Sequence, residues 1–205
     1  MHGNDPRGGF TWLLFSLLLT LATSIAGCSK YDELVKKDQV AQERWANVEA
    51  QLSRRHDLIP NLVATVKAAA QHEEETVRQV IEARARATSI QLTAEDLREP
   101  ARMEAFKRAQ DELRGALSRL LMVQERYPDL KANQGFLDIQ LQLEGTENQI
   151  LRARELYNAA VSDYNAALQK VGGMAINKVT GRPFKPRVYF TASSVTRTPP
   201  TVFDR

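Results

Sequence analysis

Apolar residues recur at steps of three and four through most of the chain, over residues 31–171. The most regular series includes the apolar positions 136, 143, 150, 157, 161, 164, 168 and 171. Gln140, Glu147 and Arg154 continue the same series as polar members. Shorter series cover residues 31–59, 63–81 and 106–127. Because steps of three and four place side chains on one helix face, the pattern predicts an all-α protein built from long amphipathic helices.

Prolines predict where these helices begin and end. Between Cys28 and Val171 the only prolines are Pro60, Pro100 and Pro128. Proline lacks the backbone N–H and clashes with the preceding helical turn, so each should lie near a helix boundary. Short connections between long helices favour antiparallel neighbours, which predicts an antiparallel up-and-down four-helix bundle. In the alternative, the first helix continues past Pro60 with a kink and three longer helices result.

The composition changes after the last series. Gly172-Gly173 are expected to end the last helix, and Thr, Pro, Val and basic residues follow. The predicted domains are a signal segment (1–27), a helical body (28–171) and a basic tail (172–205). We expect the tail to be extended and partly disordered, with Val188-Tyr189-Phe190 as a short apolar hook that could dock.

The N-terminal segment indicates export and lipidation. Residues 12–26 are mostly apolar, and as a helix they would span about 22 Å, less than a hydrocarbon core of about 30 Å. This length suits a signal peptide. Ile25-Ala26-Gly27-Cys28 resembles a bacterial lipobox, in which Cys28 is acylated and attaches the protein to membrane lipid. Ser29 then favours the outer membrane in a Gram-negative envelope; the alternatives are an uncleaved transmembrane anchor and an ordinary secretion signal.

Charge and cysteine content exclude several functional classes. The chain has 28 Lys+Arg and 25 Asp+Glu, a balance that does not indicate nucleic-acid binding. A single cysteine cannot form an intramolecular disulfide or a Cys-rich zinc site. His56 and His72 lack the Glu-x-x-His spacing of bundle metal sites. We therefore expect no metal, no cofactor and no enzymatic activity.

The three polar residues of the last series predict a buried polar ladder. Gln140, Glu147 and Arg154 lie seven residues apart at core positions. Polar groups in a core need partners, and paired ones can fix the register between helices. The candidate partners are Asp38, Arg54, Arg55 and Asn61. Alternatively, the three long side chains extend from the edge of the stripe into water.

A second repeat places Tyr157-Asn158 seven residues before Tyr164-Asn165. Tyrosines on an apolar stripe usually belong to the core and keep the hydroxyl in contact with water. The alternative is that Tyr157, Asn158, Tyr164 and Asn165 line a ligand-binding groove.

Several segments together resemble the LemA family. The resemblance rests on Trp45, residues 54–63, 127–133 and 144–150, Phe136, Ala153-Arg154, Tyr157-Asn158, Val161 and Tyr164-Asn165. It covers residues 31–170 and implies a membrane-anchored antiparallel four-helix bundle. It supplies no catalytic residues, and some members are associated with the formation of membrane organelles. Two features depart from the family pattern: the lipobox in place of a transmembrane anchor, and Val171-Gly172-Gly173-Met174 in place of an apolar segment.

The sequence therefore predicts a membrane-anchored envelope protein outside the cytoplasm. Its expected role is that of a non-enzymatic scaffold or adaptor for unidentified envelope proteins. One alternative is a sensor that binds a small ligand or peptide in a groove of the bundle. The other is an enzyme whose site, around Glu147, Arg154 and His56, has no known pattern.

Overall fold

The computed structural model describes the backbone of residues 6–180 and 184–191, and the side chains of residues 30–170, 172–178 and 184–191. The predicted signal segment and tail residues 192–205 lie outside the residues with described side chains, as does the Cys28 thiol. The described residues are helical apart from connections and the segment 184–191, so the predicted all-α class is confirmed. Over the residues whose side chains are described, which begin at Lys30, no helix combines the length and apolar character needed to cross a membrane.

Residues 6–180 form four long helices and two short ones. The long helices are α1 (Pro6–Ala69), α2 (Glu74–Ser89), α3 (Pro100–Leu121) and α5 (Gln134–Gln169). The short helices are α4 (Pro128–Lys131) and α6 (Val171–Thr180). Two 3-10 turns, Asp96–Arg98 and Met122–Glu125, precede and follow α3.

Pro100 and Pro128 start helices, as predicted. Each occupies the first turn, where a missing N–H costs nothing because helix N-termini leave these donors unpaired. Asn133 then caps α5 by accepting a hydrogen bond of 3.0 Å from the N–H of Phe136.

The predicted boundary at Pro60 is wrong, because α1 continues through it to Ala69. A proline at position 60 leaves the carbonyl of His56 without its helical donor. The Nε of Arg84, on α2, donates to that carbonyl at 3.0 Å. The break instead falls at residues 70–73, where the buried Glu73 pairs with Arg126 at 3.0 Å. The alternative interpretation correctly let the first helix continue past Pro60. It was wrong to expect three long helices, because a break at residues 70–73 still gives four.

The shifted boundary also changes the core face of α2. Val77, Val80, Ala83 and Ala87 are buried, whereas Ile81, predicted to be in the core, is 46% exposed. A new helix start resets the phase of the stripe, and Ile81 then lies on the outer side.

Gly172-Gly173 do not end helical structure, contrary to the prediction. α5 ends at Gln169, Lys170 takes an extended conformation, and α6 begins at the next residue. A Cβ on Gly173 would lie 2.6 Å from the carbonyl oxygens of Ala167 and Leu168. Glycine is therefore required here because α6 lies very close to the end of α5. The tail expected from residue 172 onward begins instead with helical structure, α6.

The helices pack in antiparallel pairs. Along α1 and α5, the rings of Trp45 and Tyr157 lie 5.1 Å apart, and Arg55 Nη1 lies 2.8 Å from Glu147 Oε1. Residue numbers rise on one helix as they fall on the other. α2 and α3 pair similarly, and Arg86 meets Glu112 at 3.2 Å. Apolar side chains from all four long helices share one core cluster.

A second cluster joins α1, α3 and α5 with residues near the C-terminal end of the described chain. Its members include Trp45, Phe106, Tyr157 and Phe190. Residues 184–191 thus contribute Phe190 to the core, with Val188 packed against it, and so lie where they can define a site.

Candidate functional site

The repeat of tyrosine and asparagine on α5 forms the floor of a groove that the chain itself fills. Tyr157 and Tyr164 are fully buried, and Asn158 and Asn165 are half-buried beside them. Seven residues of helix separate the two asparagines, which places them about 10.5 Å apart on one face. The segment occupying this groove is residues 184–191, which we call the C-terminal segment.

Each asparagine holds one residue of this segment by both backbone groups. Asn158 Nδ2 donates to the carbonyl of Phe190 at 3.2 Å, and its Oδ1 accepts from the Phe190 N–H at 2.8 Å. Asn165 binds Arg187 in the same way, with both distances 2.9 Å. On α6, Asn177 binds Phe184 at 3.0 and 2.6 Å. The carboxamide supplies one donor and one acceptor, which match the two groups of a peptide unit.

The spacing of these pairs fixes the conformation of the segment. Residues 187 and 190 are three apart, yet their partners Asn165 and Asn158 are about 10.5 Å apart on the helix. Three residues span that distance only when the chain is nearly fully extended. The segment therefore runs extended and antiparallel to α5.

The tyrosine hydroxyls bind two further carbonyls. Tyr157 donates to Val188 at 3.0 Å and Tyr164 to Lys185 at 3.1 Å. Burial raises the pKa of Tyr157 to about 12 and also raises the pKa of Tyr164, so both remain donors at neutral pH. From the opposite side, the Val188 N–H donates to the carbonyl of Leu97 at 2.9 Å.

Arg187 anchors the segment by charge. Its side chain is fully buried, and Nε lies 2.7 Å from Asp38 Oδ1 on α1. Asp38 also pairs with Arg98 at 3.1 Å. The guanidinium lies 6.0 Å from the ring of Tyr164, within range of a cation–π contact. Only Nε has a hydrogen-bond partner, since the buried Nη1 and Nη2 have none among the described residues, so the ion pair with Asp38 offsets only part of the cost of burying this charge.

Phe190 anchors the segment by apolar contact. It is 4% exposed, and its ring lies 5.8 Å from the rings of both Trp45 and Phe106. The guanidinium of Arg154 lies 4.5 Å above the same ring, while its Nε donates to the Phe190 carbonyl at 3.3 Å. Val188 is half-buried and Tyr189 is 40% exposed, so the predicted hook docks chiefly through Phe190.

The three predicted ladder residues are half-buried and have different surroundings. Glu147 pairs with Arg55, one of its four candidate partners. Arg55 is buried and also donates to Gln110, which in turn donates to the carbonyl of Ala87 at 3.1 Å. Arg154 instead contacts the C-terminal segment.

The remaining ladder residue and candidate partners lie apart from this chain of bonds. Gln140 has a buried Oε1 with no hydrogen-bond partner among the described residues. Arg54 and Asn61 are exposed, and Asp38 belongs to the Arg187 contact. The polar network across the core therefore runs through Glu147, Arg55 and Gln110.

His56 lies beside this network, on the same helix as Arg55. Burial and the charge of Arg55 lower its pKa to about 4, which keeps the imidazole neutral at physiological pH. Among the described side chains, no three His, Cys, Asp or Glu residues lie close enough to hold a metal ion.

Sequence reasoning placed Tyr157 and Tyr164 in the core, where the structure has them, but it expected their hydroxyls to meet water and not backbone carbonyls. A groove lined by these tyrosines, Asn158 and Asn165 was only the alternative interpretation. Sequence reasoning missed Asn177 and the roles of Asp38, Arg187 and Leu97. The spacing of three between Phe184, Arg187 and Phe190, set against the spacing of seven on α5, was the available signal.

Comparison with known families gives one match. The sequence model of the LemA family matches residues 44–203 of this chain, a range that includes most of the helical body and the whole C-terminal segment. A search of the curated proteins finds no match to the chain.

Proposed function

Because the chain belongs to the LemA family, we propose that it is a membrane-anchored envelope protein with the role of a non-enzymatic scaffold or adaptor. Acylation of Cys28 attaches it to the membrane, and the helical body lies outside the cytoplasm. Ser29 directs it to the outer membrane if the envelope is Gram-negative. α1, α2, α3 and α5 form an up-and-down bundle in this proposal, which the antiparallel contacts of α1 with α5 and of α2 with α3 support.

One observation carries the adaptor role: a line of exposed leucines on α5. Leu137, Leu141 and Leu151 are 39%, 69% and 55% exposed. At about 100° per residue, their positions fall within about 40° of one direction around the helix axis. Leu137 and Leu141 lie one turn apart, and Leu151 lies about 15 Å further along the same face. Contiguous exposed apolar patches mark surfaces that bind other proteins, so this face of α5 is the candidate contact surface. We call these three residues the leucine line.

Crosslinking in living cells followed by mass spectrometry tests this proposal. Wild-type protein should give specific crosslinks to other envelope proteins, and Cys28→Ala should lose those that require the membrane position. Leu141→Ser with Leu151→Ser should reduce the remaining crosslinks at least fivefold. Met122→Ser is the matched control, since Met122 is 67% exposed but lies outside α5.

The results have a clear negative outcome. Absence of any partner above background in both wild type and Cys28→Ala would overturn the scaffold role. Equal loss in the leucine variant and in Met122→Ser would show that the leucine line is not the binding surface.

A peptide sensor remains the second candidate, and the groove on α5 favours it. The groove binds an extended chain mainly through backbone groups, as peptide-binding proteins do. A sensor would have to displace the C-terminal segment, whose anchors Arg187 and Phe190 are almost fully buried. An external peptide that releases the segment at micromolar concentration would favour the sensor over the scaffold.

A further inference from the structure

The groove on α5 holds its occupant by contacts that do not depend on chain connectivity. Three asparagines and two tyrosines bind backbone groups of the C-terminal segment, and Asp38 binds Arg187. Such a groove selects an extended peptide with arginine at one position and an aromatic ring three residues later. Nothing in these contacts distinguishes a segment of the same chain from one of another chain.

We propose that the groove also binds the C-terminal segment of a second copy, so that neighbouring copies exchange residues 184–191. The inference extends the proposed scaffold role by naming one partner. Every copy carries the Arg187 and Phe190 that the groove of its neighbour requires. The C-terminal segment of a second copy therefore has the sequence that the groove binds.

The energetic balance makes exchange accessible. An exchanged segment makes the same hydrogen bonds, ion pair and ring contacts as in the closed monomer, so those terms cancel. The remaining cost is the loss of translational and rotational freedom on association. Attachment of many copies to one membrane raises the effective concentration and reduces that cost. Reciprocal exchange gives closed dimers, and sequential exchange gives open chains.

Two complementary full-length variants test the proposal. The groove variant, Asn158→Ala with Asn165→Ala, cannot hold its own segment but still offers it. The segment variant, Arg187→Ala with Phe190→Ala, leaves its own groove empty. In detergent, a mixture of the two should form a one-to-one complex at least tenfold more abundant than the self-association of either variant alone.

The matched control changes exposed side chains of the same segment. Lys185→Ala with Tyr189→Ala keeps the backbone bonds and both buried anchors, so its own segment competes for its groove and its association with the groove variant should be several-fold weaker. Absence of a complex between the two complementary variants, with both melting cooperatively, would overturn the proposal. Equal association of the control would overturn it as well.

A synthetic peptide covering residues 182–191 separates the two parts of the inference. Binding to the segment variant without any complex between full-length chains would overturn exchange between copies. Failure of the peptide to bind the folded segment variant would overturn recognition in trans altogether.

A measurement on wild-type protein tests the proposal without any substitution, so it does not depend on whether the variants fold. Light and 15N-labelled chains are mixed at high concentration, incubated, and crosslinked. Exchange predicts that a share of the crosslinks between the C-terminal segment and α5 joins light to heavy peptides, rising with protein concentration towards a limit of about half at complete exchange. Crosslinks within one isotope only would overturn the proposal, whereas the scaffold role concerns crosslinks to other proteins and fails or holds independently.

Discussion

Pro60 shows how one distant side chain can keep a proline inside a helix. The residue lies within α1, and the carbonyl four residues earlier, that of His56, receives its hydrogen bond from Arg84 on α2. Buried or half-buried carbonyls need a donor, and here α2 supplies one. The arginine thus ties the path of α1 to the position of α2.

Arg84→Ala should lower the free energy of unfolding by about 1–2 kcal/mol, because the His56 carbonyl loses its donor. Urea denaturation measures the change. In a Pro60→Ala background the restored N–H replaces that donor, so the same substitution should cost less. Arg86→Ala is the control: Arg86 is 55% exposed and its ion pairs should contribute about 0–1 kcal/mol. Equal losses for both arginines, in both backgrounds, would contradict the role assigned to Arg84.

His56 should make stability depend on pH. Its pKa falls from 6.5 in the unfolded chain to about 4 in the fold, because burial and Arg55 disfavour the imidazolium. Between these values the unfolded state binds more protons, so stability rises with pH from about 4 to 6.5 and is fully present above that range. Urea denaturation over this range measures the slope, and an NMR titration should place the imidazole midpoint near 4. A midpoint near 6.5, or an unchanged slope in His56→Gln, would show that the imidazole is not held neutral.

At the scale of elements, α1 and α5 meet through a buried arginine. Arg55 is 2% exposed and joins Glu147 on α5 to Gln110 on α3. A buried charge with only part of its partners is costly, so the network penalises any shift of α5 along α1. The apolar residues on either side would tolerate such a shift more readily.

Glu147→Leu should therefore destabilise the protein by about 1–3 kcal/mol, less than a fully buried pair because the Glu147 side chain is 36% exposed. Thermal and urea unfolding measure the loss. Arg55→Leu with Glu147→Leu should recover part of it, since neither charge remains but the buried Gln110 Oε1 loses its donor. Unchanged or higher stability of the single variant, with a normal fold, would contradict a role in fixing helix register.

The same scale shows why some helix boundaries could be predicted. Pro100 and Pro128 begin helices because local geometry alone favours proline in the first turn. Pro60 and Gly172-Gly173 misled for a shared reason: their effects are decided by neighbours distant in sequence or by the close packing of α6 on α5. Local propensity has no access to either contact.

At the scale of the whole molecule, α1 joins the predicted signal segment to the helical body. Its described range includes the backbone of position 28, so the helix runs without a break from the predicted lipidation site into the body. The body from 28 to 171 has 21 basic and 23 acidic residues, and the tail has six basic and one acidic. An acylated Cys28 would hold this body directly at the membrane surface.

Metabolic labelling with radioactive or alkyne-bearing palmitate tests the anchor. Wild-type protein should incorporate label, and Cys28→Ala should lose at least nine-tenths of it because the chain has one cysteine. Ser29→Ala serves as the control and should remain labelled. Unlabelled wild-type protein that still fractionates with membranes would favour the uncleaved transmembrane anchor.

The sequence by itself determined the helical class, the stripe of core positions and the place of Tyr157 and Tyr164 in that stripe. Those features follow from the period of the α-helix, which sequence spacing records directly. Only the tertiary structure decided that α1 passes through Pro60, that Arg55 is the partner of Glu147, and that residues 184–191 fill the groove. Each of these depends on a contact between residues 28 to 92 positions apart or on the match between a helix and an extended chain. Such contacts form only when the helices have packed, because packing alone brings their donors, acceptors and charges within reach.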